Sequence, residues 1–292
     1  MDGKFVKWKN AKVHISTHAL HYGSAVFEGI HSYKTINGTA IFRLNEHIGR
    51  LFYSANALGL KVKLTKTQLQ DAIIKLIKVN NLDDAYIRPL VYYGYGNMEV
   101  YPQNIPTSVA IIATVPWKKY YPYGLRIMTS KYIRNSEKST VFRAKISGNY
   151  ANSILAMQEA RVKGYDEALM LDYKGFVAEG PAENIFIVKN GNLITPSSKS
   201  ALHGITRDSI MKISRDIGIN SYEKNVTLDE VKNADELFFS GTATEITPII
   251  SVDNKKIGNE KVGKITLMIR NKFHNIVREK DKKYKKWLTY ID

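Results

Sequence analysis

A single lysine lies in a segment that suits covalent amine chemistry. Lys145 is part of the segment 143–150 (Arg-Ala-Lys-Ile-Ser-Gly-Asn-Tyr), in which the small residues Ser147 and Gly148 leave room for a flat ring beside the backbone. A lysine amine can form a Schiff base with an aldehyde and, once released, can carry a proton. This role requires a low pKa, which burial and a nearby cation would both favour. The chain has 43 Lys and Arg residues, so the residue type alone does not single out Lys145.

An acid at the end of a predicted strand is the second candidate. Glu179 closes a hairpin-like segment, 167–179, whose turn residues are Tyr173-Lys-Gly175. A strand end is a rigid mounting, and a carboxylate held there could keep a proton on the nitrogen of an aromatic ring. Glu183 is the competing acid four residues later.

Two glycine-containing segments and one arginine could hold a phosphate. Gly204, Ile205 and Thr206 precede an amphipathic helix predicted over 207–217, with Thr206 as its N-cap, and a helix start presents free N–H groups. The segment 240–243 (Ser-Gly-Thr-Ala) predicts a turn after a strand-like run. Arg50 lies in a helix that opens near His47, and its planar guanidinium suits phosphate oxygens. Many helices begin with Thr and bind nothing, so a simple cap at Thr206 remains the alternative.

In this order and spacing, the segments around Lys145, Glu179, Gly204 and Gly241 resemble those of the class IV aminotransferases, which use pyridoxal 5'-phosphate (PLP). The N-terminal half carries a further similarity, to the branched-chain amino acid aminotransferases of that family. It lies in the segments 18–29, 85–89 and 115–120, and the resemblance as a whole extends from about residue 5 to residue 278.

The resemblance implies a complete set of cofactor contacts. Lys145 would be the catalytic lysine, Glu179 would meet the pyridine nitrogen, and Tyr150 would donate a hydrogen bond to the ring hydroxyl. With 18 tyrosines in the chain, a core role for Tyr150 would otherwise be the ordinary interpretation, and Glu183 is left with a supporting role. The residues implied to bind the cofactor are Arg50, Lys145, Tyr150, Glu179, Gly204, Ile205, Thr206, Gly241 and Thr242.

The implied substrate pocket must accept apolar side chains and also the charged side chain of glutamate. Arg88, in the triplet Tyr86-Ile-Arg88, would meet the γ-carboxylate together with rim hydroxyls, while backbone N–H groups would hold the α-carboxylate. An arginine paired across a β-sheet is the alternative for Arg88. Glu99 stands where a small residue is more typical, so the sequence does not predict the shape of the pocket near Val100. The residues implied to bind substrate are Tyr22, Phe27, Gly29, Tyr86, Arg88, Val100, Trp117, Tyr120, Thr242 and Ala243.

The activity implied is reversible, ping-pong amino transfer from L-leucine, L-isoleucine or L-valine to 2-oxoglutarate through PLP. A D-amino acid or (R)-amine aminotransferase of the same fold is the alternative, and the triplet at 86–88 is the sequence feature that favours the first. The resemblance also implies a homodimer or a higher homo-oligomer in which Tyr22 and Val100 reach the pocket of the neighbouring subunit.

The implied fold is an α/β (α+β) protein of PLP fold type IV, with the cofactor in the cleft between two domains. A length of 292 residues exceeds a usual single domain. The sequence predicts an N-terminal α/β domain over 1–118, an interdomain loop over 119–127 and a C-terminal PLP-binding domain over 128–292.

Composition excludes several other classes of protein. The chain has no cysteine, so disulfides and thiolate metal sites are excluded, and no metal is expected. No apolar run approaches the roughly 20 residues that span a bilayer, and the N-terminus looks like a strand rather than a signal peptide, so cytoplasmic residence is expected. The net charge of +16 could suit nucleic acid. However, the lysines are scattered apart from 280–286, no nucleic-acid-binding motif accompanies them, and a solvated surface is expected.

Local patterns predict the elements that position these residues. The segment Thr65-Lys-Thr-Gln68 is a capping box that opens a helix with Leu69, Ile73 and Ile77 on one face. Further helices are predicted at 45–58, 149–163, 206–217, 228–233 and 264–279, and strands at 29–35, 39–42, 85–93, 108–115, 125–133, 168–172, 184–189 and 193–195.

Overall fold

The computed structural model describes residues 1–115, 123–197 and 201–291. The chain divides into two compact units. The first contains Met1–Trp117, Ala144–Asn149 and Ile276–Asp292, and the second contains Lys118–Arg143 and Tyr150–Asn275. The first unit therefore includes the short segment around Lys145 and the C-terminal residues. The domain boundaries at 118 and 127 stay predictions.

Both units combine helices with β-sheet, as the predicted α/β (α+β) class requires. The strands of the described residues are β1 (Ala25–Phe27), β2 (Ile30–Thr35), β3 (Gly38–Phe42), β4 (Ala85–Tyr93), β5 (Thr107–Thr114), β6 (Leu125–Thr129), β7 (Glu167–Leu171), β8 (Val177–Glu179), β9 (Asn184–Lys189), β10 (Asn192–Pro196), β11 (Ser221–Lys224), β12 (Glu236–Gly241), β13 (Glu245–Val252), β14 (Lys255–Lys256) and β15 (Leu288–Tyr290). The helices are α1 (His18–Tyr22), α2 (Leu44–Ala57), α3 (Lys66–Val79), α4 (Tyr150–Val162), α5 (Ile205–Asp216), α6 (Leu228–Lys232) and α7 (Lys264–Val277).

The first unit is an antiparallel sheet covered by two helices. Its strand order is β1-β4-β2-β3-β15, and β5 pairs with β4. Helices α2 and α3 bury one apolar face each in the same core as the sheet, with Ile48 and Leu51 from α2 and Ile73 and Ile77 from α3 fully buried. The β2–β3 hairpin turns at Gly38, whose φ of 113° is one that residues with a side chain rarely adopt. This sheet supplies the strands that carry the predicted substrate residues.

Helix α3 confirms the prediction made from its capping box. The Thr65 side chain accepts a hydrogen bond from the Gln68 backbone N–H at 3.1 Å, and the Thr65 N–H donates to Gln68 Oε1 at 2.9 Å. These bonds satisfy two of the N–H groups that every helix start leaves without a partner. The boundary is therefore set locally, by residues adjacent in the sequence.

The second unit is a mixed sheet of nine strands with helices α4, α5 and α6 and most of α7. The order is β11-β10-β9-β12-β13-β6-β7-β8, with β14 on β13, and the pairs β10/β11, β13/β6 and β6/β7 are parallel. Phe186 and Phe238 stack between neighbouring strands with ring centroids 5.0 Å apart. Strand β8 ends at Glu179, as predicted, after the turn in which Gly175 has φ 84°. Strand β6 is shorter than predicted and ends at Thr129.

The two ends of the chain differ from expectation. No strand forms among the first residues; instead the Asp2 backbone N–H donates to the Val109 carbonyl at 2.8 Å, and Asp2 Oδ1 accepts from the Val109 N–H at 2.7 Å. Near the C-terminus β15 adds an unanticipated strand to β3, and Arg43 N–H donates to the Trp287 carbonyl at 2.7 Å. Backbone pairing at a sheet edge leaves little signature in the side chains, which is why the sequence did not indicate β15.

Across 1–115, 123–197 and 201–291, no helix is both long and apolar enough to cross a bilayer. In the same ranges, no three His, Cys, Asp or Glu side chains form a cluster that could hold a metal ion.

Candidate active site

The backbone of Lys145 is fixed on both sides within the first unit. Its N–H donates to Ser54 Oγ at 2.9 Å, and its carbonyl accepts from the Phe27 N–H at 3.1 Å. Ser54 is fully buried on α2. The Lys145 amine lies 4.9 Å from the centroid of the Phe27 ring. The lysine therefore stands on a rigid support beside the end of β1, and its side chain is only half-buried.

Gly148 makes a backbone contact that the sequence did not indicate. Its N–H donates to the Gly23 carbonyl at 3.0 Å, and a Cβ on Gly23 would lie 2.6 Å from Gly148 Cα. Gly23 also has φ 61°, which favours glycine. The small residues thus permit close approach of two backbones, and that approach ties the Lys145 segment to the end of α1.

Arg50 lies in a buried ion-pair network on α2. Its Nε and Nη2 donate to the two oxygens of Glu28 at 2.5 and 2.8 Å, and His47 Nδ1 donates to Glu28 Oε2 at 2.8 Å. Both Glu28 and His47 are buried, at 0% and 1% exposure. Burial alone would raise the pKa of the Glu28 carboxyl, but Arg50 and then His47 outweigh it and hold that pKa at about 2. Burial lowers the pKa of His47, so the network contains one carboxylate, one guanidinium and a neutral imidazole.

Four predicted substrate residues meet in the first unit. Arg88 Nη2 donates to the Tyr86 hydroxyl at 2.7 Å, and the Arg88 guanidinium carbon lies 4.4 Å from the Phe27 ring centroid. A Cβ on Gly29 would lie 2.4 Å from the Tyr86 hydroxyl. The residue opposite Arg88 on β5 is Ile112, so Arg88 does not form an ion pair across the sheet there. The Arg88 Nε is buried and has no hydrogen-bond partner among the described residues. This donor suits an anionic ligand.

The remaining predicted substrate residues of this half have different surroundings. The Tyr22 hydroxyl donates to the Met98 carbonyl at 2.5 Å, and Tyr22 is 42% exposed. Val100 is 77% exposed on its own chain. Trp117 and Tyr120 lie outside the described residues.

Glu179 is the centre of a second network, in the second unit. It is 3% exposed, and its carboxylate accepts hydrogen bonds from Arg134 Nε at 2.7 Å, Asn184 Nδ2 at 3.0 Å and the Leu202 N–H at 3.1 Å. Arg134 also donates to Ser153 Oγ at 2.8 Å, so the guanidinium links β8 to α4. Three donors, one of them charged, stabilise the ionised form of a carboxylate. Glu183 has a local contact instead, in which its side chain accepts from the Ala182 N–H.

The predicted helix start near Thr206 needs a correction. Gly204, with φ −66° and ψ 134°, is the N-cap of α5, and Thr206 lies inside the first turn, where it is 4% exposed. Because Gly204 has no side chain, the N-cap residue itself supplies no acceptor to the first N–H groups of α5. A Cβ on Gly204 would lie 2.0 Å from Asn184 Oδ1. Asn184 therefore occupies the space that an N-cap side chain would need, while its amide nitrogen holds Glu179.

The turn after β12 presents the second predicted anion site. Gly241 ends β12, Thr242 is half-buried and Ala243 is exposed. On either side of the turn, Ser240 Oγ and Thr244 Oγ1 are buried, and neither has a hydrogen-bond partner in the part of the chain that the structure describes. Buried hydroxyls without a partner are uncommon, and a bound anion would satisfy them. Tyr150, the first residue of α4, is half-buried.

Several residues of these networks were not singled out from the sequence. They are Glu28, His47, Arg134, Ser153 and Asn184. Glu28 did carry a signal, because an acid directly after the apolar run 25–27 must find a partner if that segment is buried. His47 and Arg50, three apart on one helix, supply that partner.

Comparisons with known proteins agree along the whole chain. The model of the family "Amino-transferase class IV" matches residues 25–252. A branched-chain-amino-acid aminotransferase from Pseudomonas aeruginosa is 42% identical over 99% of this chain and 96% of its own length. The crystal structure of a branched-chain amino acid aminotransferase from Escherichia coli superposes with a TM-score of 0.97 at 39% identity, covering 100% of this chain and 98% of that one.

A third comparison extends this similarity to an archaeal protein. The branched-chain aminotransferase from Thermoproteus uzoniensis, solved with norvaline, is 40% identical with a TM-score of 0.95 over 100% of this chain and 97% of its own. With a family model that spans most of its length and relatives above 30% identity over nearly all of it, the chain belongs to the class IV aminotransferases.

Proposed function

We propose that this class IV aminotransferase transfers the amino group of L-leucine, L-isoleucine or L-valine reversibly to 2-oxoglutarate, with PLP as its cofactor. The observation that carries the proposal is the composition of the Phe27, Gly29, Tyr86 and Arg88 cluster, in which the rings of Phe27 and Tyr86 lie beside a half-buried guanidinium whose buried Nε has no hydrogen-bond partner among the described residues. Such a cluster can receive an apolar side chain and can also neutralise a side-chain carboxylate. The names of the relatives support the same activity.

The residues proposed to hold PLP have the donor and acceptor chemistry that each of its polar groups requires. Arg50, the first N–H groups of α5 at Ile205 and Thr206, and the turn at Gly241 and Thr242 offer donors to a phosphate. Glu179, whose carboxylate accepts hydrogen bonds from three donors, would keep the proton on the pyridine nitrogen. When bound, PLP supplies an electron sink for the bond-breaking step at the substrate Cα.

The chain's own residues supply positioning and proton transfer. Lys145 would hold the cofactor covalently and, once displaced by the amino acid, would move the proton between substrate and cofactor as a general base and acid. Its backbone bonds to Ser54 and Phe27 fix the point from which the side chain carrying the amine extends. Tyr150 would donate to the ring hydroxyl, and the N–H groups of Thr242 and Ala243 would hold the substrate α-carboxylate.

Arg88 would let one pocket bind both the charged side chain of 2-oxoglutarate or glutamate and the apolar side chain of a branched-chain amino acid. A γ-carboxylate would bond to the Arg88 guanidinium, whereas a branched-chain side chain would pack on Phe27 and Tyr86 and would leave the guanidinium stacked on Phe27. The same pocket can therefore serve both half-reactions without being lined by charge. Trp117 and Tyr120 are proposed to complete this pocket.

We infer that the working protein is a homodimer in which Tyr22 and Val100 of one copy approach the pocket of the other. Supporting this, the N-terminal unit exposes large apolar side chains from two segments, 13–22 and 95–101, that contact each other in the fold. Besides Tyr22 and Val100 they are Val13, Ile15, Leu20, Tyr95, Met98 and Tyr101. The molar mass in solution, and the recovery of activity on mixing inactive Lys145→Ala chains with inactive Val100→Asp chains, would test this.

A stereochemical panel tests the proposed activity. The purified chain, loaded with PLP, is mixed rapidly with L-leucine, L-valine, L-glutamate, D-alanine and (R)-1-phenylethylamine, and the loss of the cofactor's visible absorbance band is followed. The proposal expects rapid reaction with the three L-amino acids only. Reaction with D-alanine or the amine, and none with L-leucine, would select the alternative aminotransferases of this fold.

A further inference from the structure

The Glu28 carboxylate occupies one whole edge of the Arg50 guanidinium. Its two oxygens accept from Nε and Nη2 of that guanidinium, at 2.5 and 2.8 Å. A guanidinium is planar and rigid, so fixing one edge also fixes the direction of the opposite edge. The Arg50 side chain is 13% exposed and Glu28 is fully buried, which leaves the pair little freedom to rearrange.

His47 fixes the carboxylate in turn. Its Nδ1 donates to Glu28 Oε2, the oxygen that also accepts from Arg50 Nη2. Both His47 and Arg50 project from α2, one turn apart, and Glu28 lies directly after β1. The arrangement therefore locks an arginine on a helix to a strand end, with a neutral imidazole as the second donor.

The positive charges near Lys145 explain why the Glu28 carboxylate is needed beside Arg50. Lys145 and Arg50 are both close enough to His47 for their positive charges to lower the pKa of its imidazole. Without Glu28, the like charges of Arg50 and Lys145 would repel each other in a partly buried region, where water screens them weakly, and Arg50 would be pushed away from Lys145. Glu28 thus allows an arginine to stand near the catalytic lysine before any phosphate is bound.

We propose that Glu28 is a positioning residue that aims the outer edge of Arg50 at the phosphate of the cofactor, and that His47 in turn positions Glu28. This inference rests on the proposed function, in which Arg50 contacts the phosphate. It assigns to Glu28 no contact with cofactor or substrate. A carboxylate beside a phosphate site would ordinarily weaken the binding of an anion by repulsion. The proposal predicts the opposite for Glu28: its removal should weaken the binding of PLP, which has a phosphate, and not the binding of pyridoxal, which has none.

The test compares two ligands that differ only in the phosphate. The full-length chain is freed of cofactor and titrated with PLP and, separately, with pyridoxal, each followed by absorbance. The dissociation constant of pyridoxal divided by that of PLP isolates the contribution of the phosphate to binding, and this quotient is the ratio used below. In Glu28→Gln and Glu28→Asp the ratio is expected to fall by about tenfold or more, the loss that accompanies one misdirected bond to a charged group, while pyridoxal binds as in the wild type.

Matched variants separate aiming from folding and from net charge. Glu46→Gln removes one negative charge from α2, the helix that carries Arg50, but from a carboxylate paired with Arg43, so its ratio should equal that of the wild type. His47→Asn keeps a donor near the Nδ1 position, so its ratio should stay close to the wild-type value. His47→Leu removes the donor, so its ratio should fall. Glu28→Asp keeps the charge and decides the matter if the buried Gln variant does not fold.

The outcomes distinguish this inference from the proposed function. If Arg50→Gln lowers the ratio and both Glu28 variants leave it unchanged, or if Glu28 substitutions weaken PLP and pyridoxal in parallel, the positioning role is overturned. If Arg50→Gln itself leaves the ratio unchanged, the assignment of Arg50 to the phosphate fails instead.

Discussion

Replacing Gly29 by alanine should disturb recognition of 2-oxoglutarate while leaving the backbone unstrained. Gly29 does not have a positive φ, so alanine is conformationally acceptable there. The obstacle is the Tyr86 hydroxyl, which would lie 2.4 Å from the new methyl group, with the ring carbon Cζ at 3.1 Å. The substitution therefore acts through Tyr86 and, beyond it, through Arg88.

The size of the effect follows from these distances. Ordinary van der Waals contact begins at 3.4 Å, so the hydroxyl must retreat by about 1 Å. Such a retreat breaks the 2.7 Å hydrogen bond from Arg88. A hydrogen bond to a charged group contributes about 1.5–3 kcal/mol, so kcat/KM for 2-oxoglutarate should fall by about 10- to 100-fold.

The assay compares two amino acceptors of similar length. Steady-state transamination is measured with 2-oxoglutarate and with 4-methyl-2-oxopentanoate, the 2-oxo acid of leucine. The apolar acceptor makes no bond to Arg88, so its kcat/KM should fall several-fold less. Thermal unfolding should show a loss of about 1–3 kcal/mol from overpacking.

The Tyr86→Phe background provides the control. It removes the hydroxyl that collides with the new methyl group, so Gly29→Ala should destabilise the chain less in that background than in the wild type. Equal destabilisation in both backgrounds, or a Gly29→Ala enzyme with unchanged selectivity between the two acceptors, would refute the contact on which the reasoning depends.

Two further predictions concern the buried ion pairs. Glu28 has a pKa of about 2 when folded, below its ordinary 4.5, so it contributes about 3 kcal/mol of stability above pH 4.5 that is lost as the pH falls toward 2. In urea unfolding of the cofactor-free chain, the difference between wild type and Glu28→Gln should shrink by about 2 kcal/mol from pH 7 to pH 3, and a constant difference would argue against it. Arg134→Met leaves the buried Glu179 carboxylate without its charged partner and should lower the free energy of unfolding by about 3–5 kcal/mol. Arg134→Lys should lower it less, and equal losses would show that the charge of the partner is unimportant.

The features that the sequence predicted are those encoded by adjacent residues. The capping box at Thr65 and Gln68 involves residues three positions apart, and helix α3 begins where it predicts. The hairpin that ends at Glu179 is likewise local, since Gly175 supplies the turn. Lys145 and Glu179 were assigned by similarity of short motifs, and the structure gives each of them a buried, hydrogen-bonded support.

The features that were missed depend on residues far apart in the chain. Arg134 reaches Glu179 across 45 positions, and Glu28 reaches Arg50 across 22. Nothing in the local sequence identifies which arginine will pair with which acid when the chain has 43 Lys and Arg. Thr206 was predicted as an N-cap from its own preference, but a tertiary contact between Asn184 and Gly204 decided the helix start instead.

The central claim is that Lys145, among all the lysines of the chain, holds the cofactor covalently. The most direct measurement is reduction of the PLP-loaded protein with borohydride, followed by proteolysis and mass mapping of the phosphopyridoxyl label. A single label is expected, on Lys145, and it should disappear when excess L-leucine is added before reduction. A label on another lysine, or one that leucine does not remove, would contradict it.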